Sequence, residues 1–435
     1  MSVIKIFKEL LTFWDKCLTR SKKLYLSMQE SFVNLNWIFV DKITRLTSSF
    51  FVGIYVARYL GTDGYGVLTF VIAFGALFKS FTTLIHRNIL IKEIANKRSV
   101  ESVLASTIAV NTIATLMFLC IFYFVVDSYD LMPEKKHYIF IYFLSFFAYI
   151  FLPFEYFFKA LNLSKFVSIG AILSIIISSI FKVFLVINNY EIKYFFYVYV
   201  AENFIYILIL VSIFLRRGEK VRFNKTILIT ATTLLSKSLP LFVSSFFIAM
   251  FLNADSIMLN YISGSESLGI YAAAVKISSI WYVIPSVVTI GLFSGFSTLK
   301  DPKLFVVNFN SISIFFLLIG LLVTIFTFIF SEFIVFYLYG IEFNESVNIL
   351  KIHVLSLISI YLTMQFDQLF VLKDRAIHIL YGYIIAVIFN VYLNYTLIPT
   401  YGGIGAAIAT VAAYYLKLLY SLFICQRLSI LKYSK

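Results

Sequence analysis

Charged side chains that lie inside long apolar segments are the residues of this sequence most able to do chemistry. Eight are basic and four are acidic: Lys42, Arg45, Lys79, Lys182, Lys237, Lys276, Lys351, Lys417, Asp41, Glu155, Glu202 and Asp367. Each costs about 2.5–3.5 kcal/mol at the centre of a membrane helix, so we expect them to face one another, water or a ligand. The excess of cations favours an anion, and a bulky phosphate-bearing ligand fits better than a cationic drug.

The depth of each charge separates two interpretations. Arg45, Glu202 and Lys417 lie well inside their segments, where a lysine stem of about 6 Å does not easily reach water. We predict a function or an internal partner for these three. Snorkelling to the membrane interface is an equal alternative for charges nearer the segment ends, namely Lys79, Lys182, Lys237, Glu155, Asp367 and Lys351.

Nine intramembrane residues are our candidates for a functional site. The candidates for substrate binding are Arg45, Lys79, Lys182, Lys276 and Lys417. The candidates for ion coupling or for pairing with cations are Asp41, Glu202, Asp255 and Asp367. The four histidines lie in loops or near segment ends without metal-ligand spacing, so we expect them to be solvated or interfacial, and we predict neither a metal nor a cofactor.

The first apolar segment carries the most polar face. Asn34, Asp41, Arg45, Ser48 and Tyr55 fall on one side of a helix, because their spacing returns to nearly the same direction. Asp41 and Arg45 are four residues apart and can form an ion pair. The pair either makes the helix insertable or lines a wet passage, and both roles are compatible with the pattern.

The elements that position these residues are membrane spans. The chain has 435 residues, of which 61% are hydrophobic and 13% charged, far from the composition of a soluble domain. Apolar stretches of about 20 residues predict an all-α membrane protein of twelve spans, near 33–56, 67–86, 103–126, 138–158, 166–187, 194–215, 234–259, 268–296, 304–330, 347–372, 376–398 and 403–426.

The distribution of basic residues predicts the orientation. The two termini and the even-numbered loops hold 24 Lys and Arg residues, whereas the odd-numbered loops hold four. Short loops rich in Lys and Arg stay in the cytoplasm, so we predict that both termini are cytoplasmic. This asymmetry explains most of the net charge of +14, and we predict no binding of nucleic acid.

A basic linker divides the chain into two six-helix lobes. The predicted organisation is an interfacial N-terminal segment at 1–32, a lobe at 33–215, a cytoplasmic linker at 216–233, a second lobe at 234–426 and a tail at 427–435. A short internal echo agrees, since after the first and the seventh span an acid is followed three residues later by glycine and a β-branched residue, which are Asp63 with Gly66 and Glu266 with Gly269. Paired six-helix halves are a recurrent plan of transporters, with the substrate route at their interface.

The sequence also excludes several activities. No G-x-x-x-x-G-K-[ST] motif is present, so ATP hydrolysis by this chain is not expected. The three cysteines are far apart, and no catalytic constellation stands out. We therefore predict a protein that is not an enzyme, and any uphill movement has to draw on an ion gradient, a partner or the gradient of the substrate.

Two stretches of the chain resemble the Wzx-type O-antigen flippases, polysaccharide transporters of the multidrug/oligosaccharidyl-lipid/polysaccharide exporter superfamily. One begins at Trp37, includes Asp41 and Arg45, and continues as A-R-Y-L-G-T-D-G-Y-G from Ala57 to Gly66. The other runs from Pro240 through Asp255 and Lys276 to Pro285. With the twelve spans, the resemblance covers the whole chain.

The resemblance implies a carrier of the bacterial inner membrane that moves undecaprenyl-diphosphate-linked oligosaccharide from the cytoplasmic to the periplasmic leaflet. It implies alternating access of two six-helix lobes, coupled to an ion gradient, with the diphosphate meeting buried Arg and Lys. Membrane lipids and other polysaccharide assembly proteins are the further partners it implies. A multidrug and toxin exporter of the same architecture and a lipid II flippase are the alternatives, and an O-antigen polymerase is disfavoured because no large periplasmic loop is present.

Overall fold

Helices account for all regular secondary structure in the part of the chain that the computed structural model describes, which is residues 22–96, 100–128, 133–222, 227–296 and 301–428. The all-α prediction is confirmed. The α-helices are α1 (Lys22–Thr82), α2 (Arg87–Ala95), α3 (Val100–Ser128), α4 (Pro133–Phe143), α5 (Ser145–Tyr149), α6 (Pro153–Ala160), α7 (Ser164–Ile187), α8 (Ile192–Arg216), α9 (Ile227–Ser279), α10 (Val283–Phe296), α11 (Pro302–Ile329), α12 (Ser331–Tyr339), α13 (Ser346–His353), α14 (Ser356–Leu372) and α15 (Ile377–Arg427). Residues 1–21 of the predicted interfacial segment lie outside the described residues.

Seven helices in the described ranges are long and apolar enough to cross a membrane, or nine if each of two bent pairs is one crossing. The bent pairs are Lys135–Tyr149 with Pro153–Ala160, and Ser346–His353 with Ser356–Leu372. Three of the seven contain 44, 63 and 51 residues, at least twice the ~20 that a bilayer requires. Counting the two arms of these three separately gives twelve segments at the positions of the predicted spans, and the chain is a multi-pass membrane protein.

A glycine with a non-helical conformation divides each of the three long helices. Gly61 has φ 67° and ψ −176° in α1, and Gly264 has φ 87° and ψ 175° in α9. Gly402 has φ 52° in α15. Residues other than glycine are strained at such φ values. The three glycines therefore allow the chain to end one span and begin the next without a longer loop.

The two halves of the chain touch at the start of the second arm of α1 and of α9. A Cβ atom added to Gly66 would lie 1.8 Å from the carbonyl oxygen of Ser265, and one added to Gly269 would lie 1.8 Å from that of Thr62. The reciprocal contact therefore requires glycine at both positions, as small residues allow close backbone approach between membrane helices. We refer to the side of the bundle with Gly61, Gly264 and this crossing as the glycine end.

Other contacts join the halves at the opposite side, which we refer to as the basic end. The Phe81 ring lies 5.8 Å and 5.4 Å from the rings of Phe242 and Phe246. Lys237 Nζ of α9 lies 2.6 Å from Glu93 Oε1 of α2. Phe81 follows Gly66 by 15 residues, or about 22 Å along a helix, so the interface between halves is bounded at both ends.

Candidate functional site

A cavity of about 480 Å³ lies between the two halves of the chain. Its walls come from both arms of α1, from α7 and α8 of the first half, and from both arms of α9. The crossing at Gly66 and Gly269 lies toward one side of this cavity, and the contacts of Phe81 lie toward the other. The kinks at Gly61 and Gly264 thus position four of the cavity's walls.

Three cations and one carboxylate line this cavity in the described part of the chain, namely Arg45, Lys182, Lys276 and Glu202. Lys182 Nζ lies 2.9 Å from Glu202 Oε2, and the Ser178 hydroxyl donates to the same oxygen at 2.5 Å. Arg45 Nε lies 2.9 Å from Asp41 Oδ1, which is the ion pair that their spacing predicts. Positive charge exceeds negative charge at the cavity surface.

Lys276 differs from the other two cations because it forms no ion pair with a described residue. Its ammonium group donates to the Ser49 hydroxyl of the opposite half. The Lys276 side chain passes close to Gly53 of the same opposite half, where an added Cβ would be in ordinary contact with Lys276 Cε at 3.7 Å. Lys182 and Lys276 come from different halves and line the same cavity, so two like charges face the same space and repel each other. An anion between them would relieve that repulsion.

Hydroxyl groups form much of the remaining polar wall. Ser48, Ser49, Thr69, Ser256 and Ser279 all line the cavity. Hydroxyls both donate and accept hydrogen bonds, as sugar hydroxyls do. The combination of ammonium, guanidinium and hydroxyl groups is suited to a ligand with phosphate and sugar parts.

The other predicted substrate cations do not line this cavity. Lys79 Nζ lies 4.0 Å from the centre of the Tyr149 ring. Lys417 is 1% exposed, and its Nζ lies 2.7 Å from Asp367 Oδ2 and 3.7 Å from the centre of the Tyr383 ring. Lys417 and Asp367 are therefore placed as a buried ion pair inside the second half.

Asp255 occupies a buried polar cluster in the second half. Asn390 Nδ2 and Asn394 Nδ2 donate to its Oδ1 at 2.9 Å and 2.7 Å. The Tyr271 hydroxyl donates to its Oδ2 at 2.8 Å, and Thr410 Oγ1 donates to the same oxygen. No cationic side chain of the described residues pairs with this carboxylate. The Oδ1 atom of Asn394 is buried without a hydrogen-bond partner, so the cluster has an oxygen available for a cation.

Sequence reasoning missed most of this cluster. The signal was present, since Asn390 and Asn394 are four residues apart on an otherwise apolar span, but amides carry no net charge. It also misplaced His353, which is 2% exposed and hydrogen-bonds Ser278 Oγ through Nδ1 at 2.8 Å. The expectation that all four histidines are solvated or interfacial is wrong for His353, because the 40° bend between α13 and α14 places the end of α13 inside the protein.

Similarity to known proteins is consistent with the geometry of the cavity. A family model described as polysaccharide biosynthesis protein matches residues 34–293, which is more than half of the chain. No curated protein sequence matches the chain significantly.

Several solved structures share the fold. A lipid II flippase MurJ in an inward closed conformation is similar with a TM-score of 0.72 and 16% identity, covering 91% of this chain and 87% of that one. An inward-facing multidrug resistance MATE family transporter of the MOP superfamily has a TM-score of 0.68 and 13% identity, covering 90% and 96%. A MOP superfamily transporter from Pyrococcus furiosus, described as having reverse polarity of its binding pocket, has a TM-score of 0.55 and 13% identity, covering 92% and 94%. At these identities the likeness shows the fold, and the polarity of the cavity has to be taken from this chain's own residues.

Proposed function

The chain belongs to the polysaccharide biosynthesis protein family, and we propose that it is a flippase that moves undecaprenyl-diphosphate-linked O-antigen repeat units across the bacterial inner membrane. The observation that carries the proposal is the cavity between the halves, in which three cations outnumber one carboxylate. A diphosphate headgroup has the charge that this surface lacks.

In this proposal each part of the lipid-linked substrate has its own environment. The diphosphate contacts Lys182 and Lys276, which belong to different halves, and Arg45 lies on the same surface. The first sugars hydrogen-bond the hydroxyl groups of the wall, and the isoprenoid tail stays in the bilayer. A volume of about 480 Å³ is within the roughly 300–1,000 Å³ of typical ligand pockets.

We further propose that Asp255 binds the coupling cation. One carboxylate surrounded by amide and hydroxyl groups offers oxygen ligands and a single negative charge, which suits a monovalent hard cation such as Na⁺ or a proton. In this proposal the glycine end faces the periplasm and both termini lie in the cytoplasm, as the distribution of basic loops favours. Alternating access then consists of opening and closing the contacts at the two ends of the interface.

The lining of the cavity disfavours one of the two alternative functions and is compatible with the other. A multidrug exporter for cationic drugs would face repulsion from Lys182, Lys276 and Arg45, so the lining disfavours it. Lipid II carries the same undecaprenyl diphosphate, so the same cations would accept it. The experiment therefore has to separate two lipid-linked substrates.

Deletion of the gene in the native host tests the proposal. We expect undecaprenyl-diphosphate-linked oligosaccharide to accumulate in the cytoplasmic leaflet and surface polysaccharide to disappear, while peptidoglycan synthesis continues. Wild-type protein should restore the polysaccharide, and an Arg45→Ala protein that reaches the membrane should restore less. Accumulation of lipid II would assign the other flippase activity, and an unchanged surface polysaccharide would exclude the proposal.

A further inference from the structure

The cavity and the Asp255 cluster share a wall, which is the second arm of α9. Tyr271, Lys276 and Ser279 of this arm line the cavity. Tyr271 also donates a hydrogen bond to Asp255, with 2.8 Å between its hydroxyl oxygen and Oδ2. The other donors to Asp255, which are Asn390, Asn394 and Thr410, do not line the cavity. In the described part of the chain, Tyr271 is thus the one side chain that both lines the cavity and donates to this carboxylate.

A cation at Asp255 changes the hydrogen bonding of Tyr271. The carboxylate accepts the hydroxyl hydrogen of Tyr271, but a bound cation requires the lone pairs of the same oxygens. The hydroxyl hydrogen then has to turn toward Thr410 Oγ1, which lies 3.4 Å from the Tyr271 oxygen, and a hydrogen bond of about 2.8 Å there requires that oxygen to move. The hydroxyl of Tyr271 therefore responds to the occupant of the Asp255 site.

The Tyr271 ring has little freedom to absorb this change by itself. The residue is 3% exposed, and its ring lies 6.3 Å from the His353 ring at 80°. A Cβ added to Gly403 would lie 3.5 Å from Tyr271 Cβ. Because closely packed side chains transmit displacement to their backbone, a shift of the hydroxyl moves the helix that carries it.

That helix carries two further parts of the transport site close by. Lys276 follows Tyr271 by five residues, or about 7.5 Å along the helix, and reaches Ser49 of the other half. Gly269 precedes Tyr271 by two residues and forms the backbone crossing with Thr62. A displacement at Tyr271 reaches both the substrate cation and the contact between halves.

We infer that Tyr271 is the positioning residue through which a cation at Asp255 changes the affinity of the cavity for a diphosphate lipid. The inference rests on the proposed function, since it requires both a cation at Asp255 and an anion in the cavity. Coupling between two sites is reciprocal and typically amounts to about 5–150-fold in affinity.

Binding of geranylgeranyl diphosphate to the purified full-length protein measures this coupling. The dissociation constant is determined with NaCl and with choline chloride at equal ionic strength, and again at two pH values in choline chloride, so that Na⁺ and protons are distinguished. We expect wild-type protein to show at least a fivefold change with one of the two cations. In Tyr271→Phe the ratio of the dissociation constants with and without that cation should fall below about twofold, whatever the value of either constant.

Asn390→Ala is the control, because it removes a donor to the other oxygen of the same carboxylate and leaves both Tyr271 and its alternative partner Thr410 unchanged. It should shift the cation concentration that gives half of the effect but keep the full change at saturating cation. A full wild-type change in Tyr271→Phe, or an equal loss of the change in both variants, would overturn the role of Tyr271 and leave the proposed function intact. Wild-type protein that does not bind the diphosphate, or binds it without any effect of Na⁺ or protons, would count against the proposed function and its coupling site instead.

Discussion

The partner of each buried charge distinguishes the roles of the intramembrane lysines. Lys417 is 1% exposed and paired with Asp367, so its charge is compensated within the second half. Lys276 faces the other half, contacts a hydroxyl and forms no ion pair with a described residue. A cation without a protein anion at a cavity surface is available to a ligand, whereas loss of Lys417, whose pair lies away from the cavity, would leave the Asp367 charge uncompensated.

Replacing Lys276 by alanine should weaken substrate binding without unfolding the protein. A charge-assisted hydrogen bond contributes about 1.5–3 kcal/mol, so we expect geranylgeranyl diphosphate to bind about 10–100-fold more weakly. Lys351→Ala is the control, because Lys351 Nζ pairs with Glu332 Oε1 at 2.9 Å away from the cavity. Equal affinities of Lys276→Ala and wild type would remove Lys276 from the substrate route.

Replacing Lys417 by methionine should act on stability before it acts on transport. The change leaves Asp367 unpaired, and Asp367 Oδ1 already has no hydrogen-bond partner. Removing one member of a buried pair costs about 3–5 kcal/mol, whereas replacing both members by apolar residues is often neutral. We therefore expect Lys417→Met to lower the thermal unfolding temperature in detergent and Lys417→Met with Asp367→Leu to restore it together with transport. A stable single variant that has lost transport would return Lys417 to the substrate site.

At the scale of the helices, the sequence predicted the positions of the spans but not how their ends meet. Long apolar runs bounded by charge indicate where the spans lie, and the segments around Gly66 and Gly269 resemble each other in the sequence. The contact of Gly66 with Ser265 joins backbones 199 residues apart, and that of Gly269 with Thr62 joins backbones 207 residues apart. No local pattern encodes such a contact, because glycine is also the common residue of a turn.

Gly66→Ala tests whether this crossing closes the glycine end. The added Cβ would lie 1.8 Å from the Ser265 carbonyl oxygen, so the two helices have to separate. We expect the transport rate to fall by at least about tenfold, because transport requires the glycine end to close and the separated helices populate the closed state less. We also expect a Ser265→Cys side chain, in a background without native cysteines, to react faster with a maleimide that does not cross the membrane.

Gly170→Ala is the control for this experiment. A Cβ at Gly170 would have its nearest neighbours at 3.5 Å, which is ordinary contact. In Gly170→Ala, both the transport rate and the rate at which Ser265→Cys is labelled should remain near the wild-type values. Slow labelling in Gly66→Ala would mean that the crossing is not a closed gate.

At the scale of the whole molecule, the two halves meet at both ends of the cavity. The crossing of Gly66 with Gly269 joins backbones, whereas the basic end is joined by side chains, which are Phe81 with Phe242 and Phe246 and the pair of Glu93 with Lys237. Side-chain contacts separate with smaller changes of backbone than a backbone crossing does. We therefore expect the basic end to open first from this arrangement, as the proposed entry of the substrate from the cytoplasmic leaflet requires.

A reversible link across the basic end tests this order. We expect Glu93→Cys with Lys237→Cys, joined by a short bifunctional thiosulfonate in a background without native cysteines, to stop transport and to block access of geranylgeranyl diphosphate to the cavity. The physical reason is that the 2.6 Å pair connects α2 to α9, so a covalent link in its place holds the halves together at this end. Reductant should restore both transport and binding, and each single cysteine variant treated with the same reagent should remain active. Transport that continues in the linked protein would show that the substrate enters by another route and that the Glu93 and Lys237 contact does not gate the cavity.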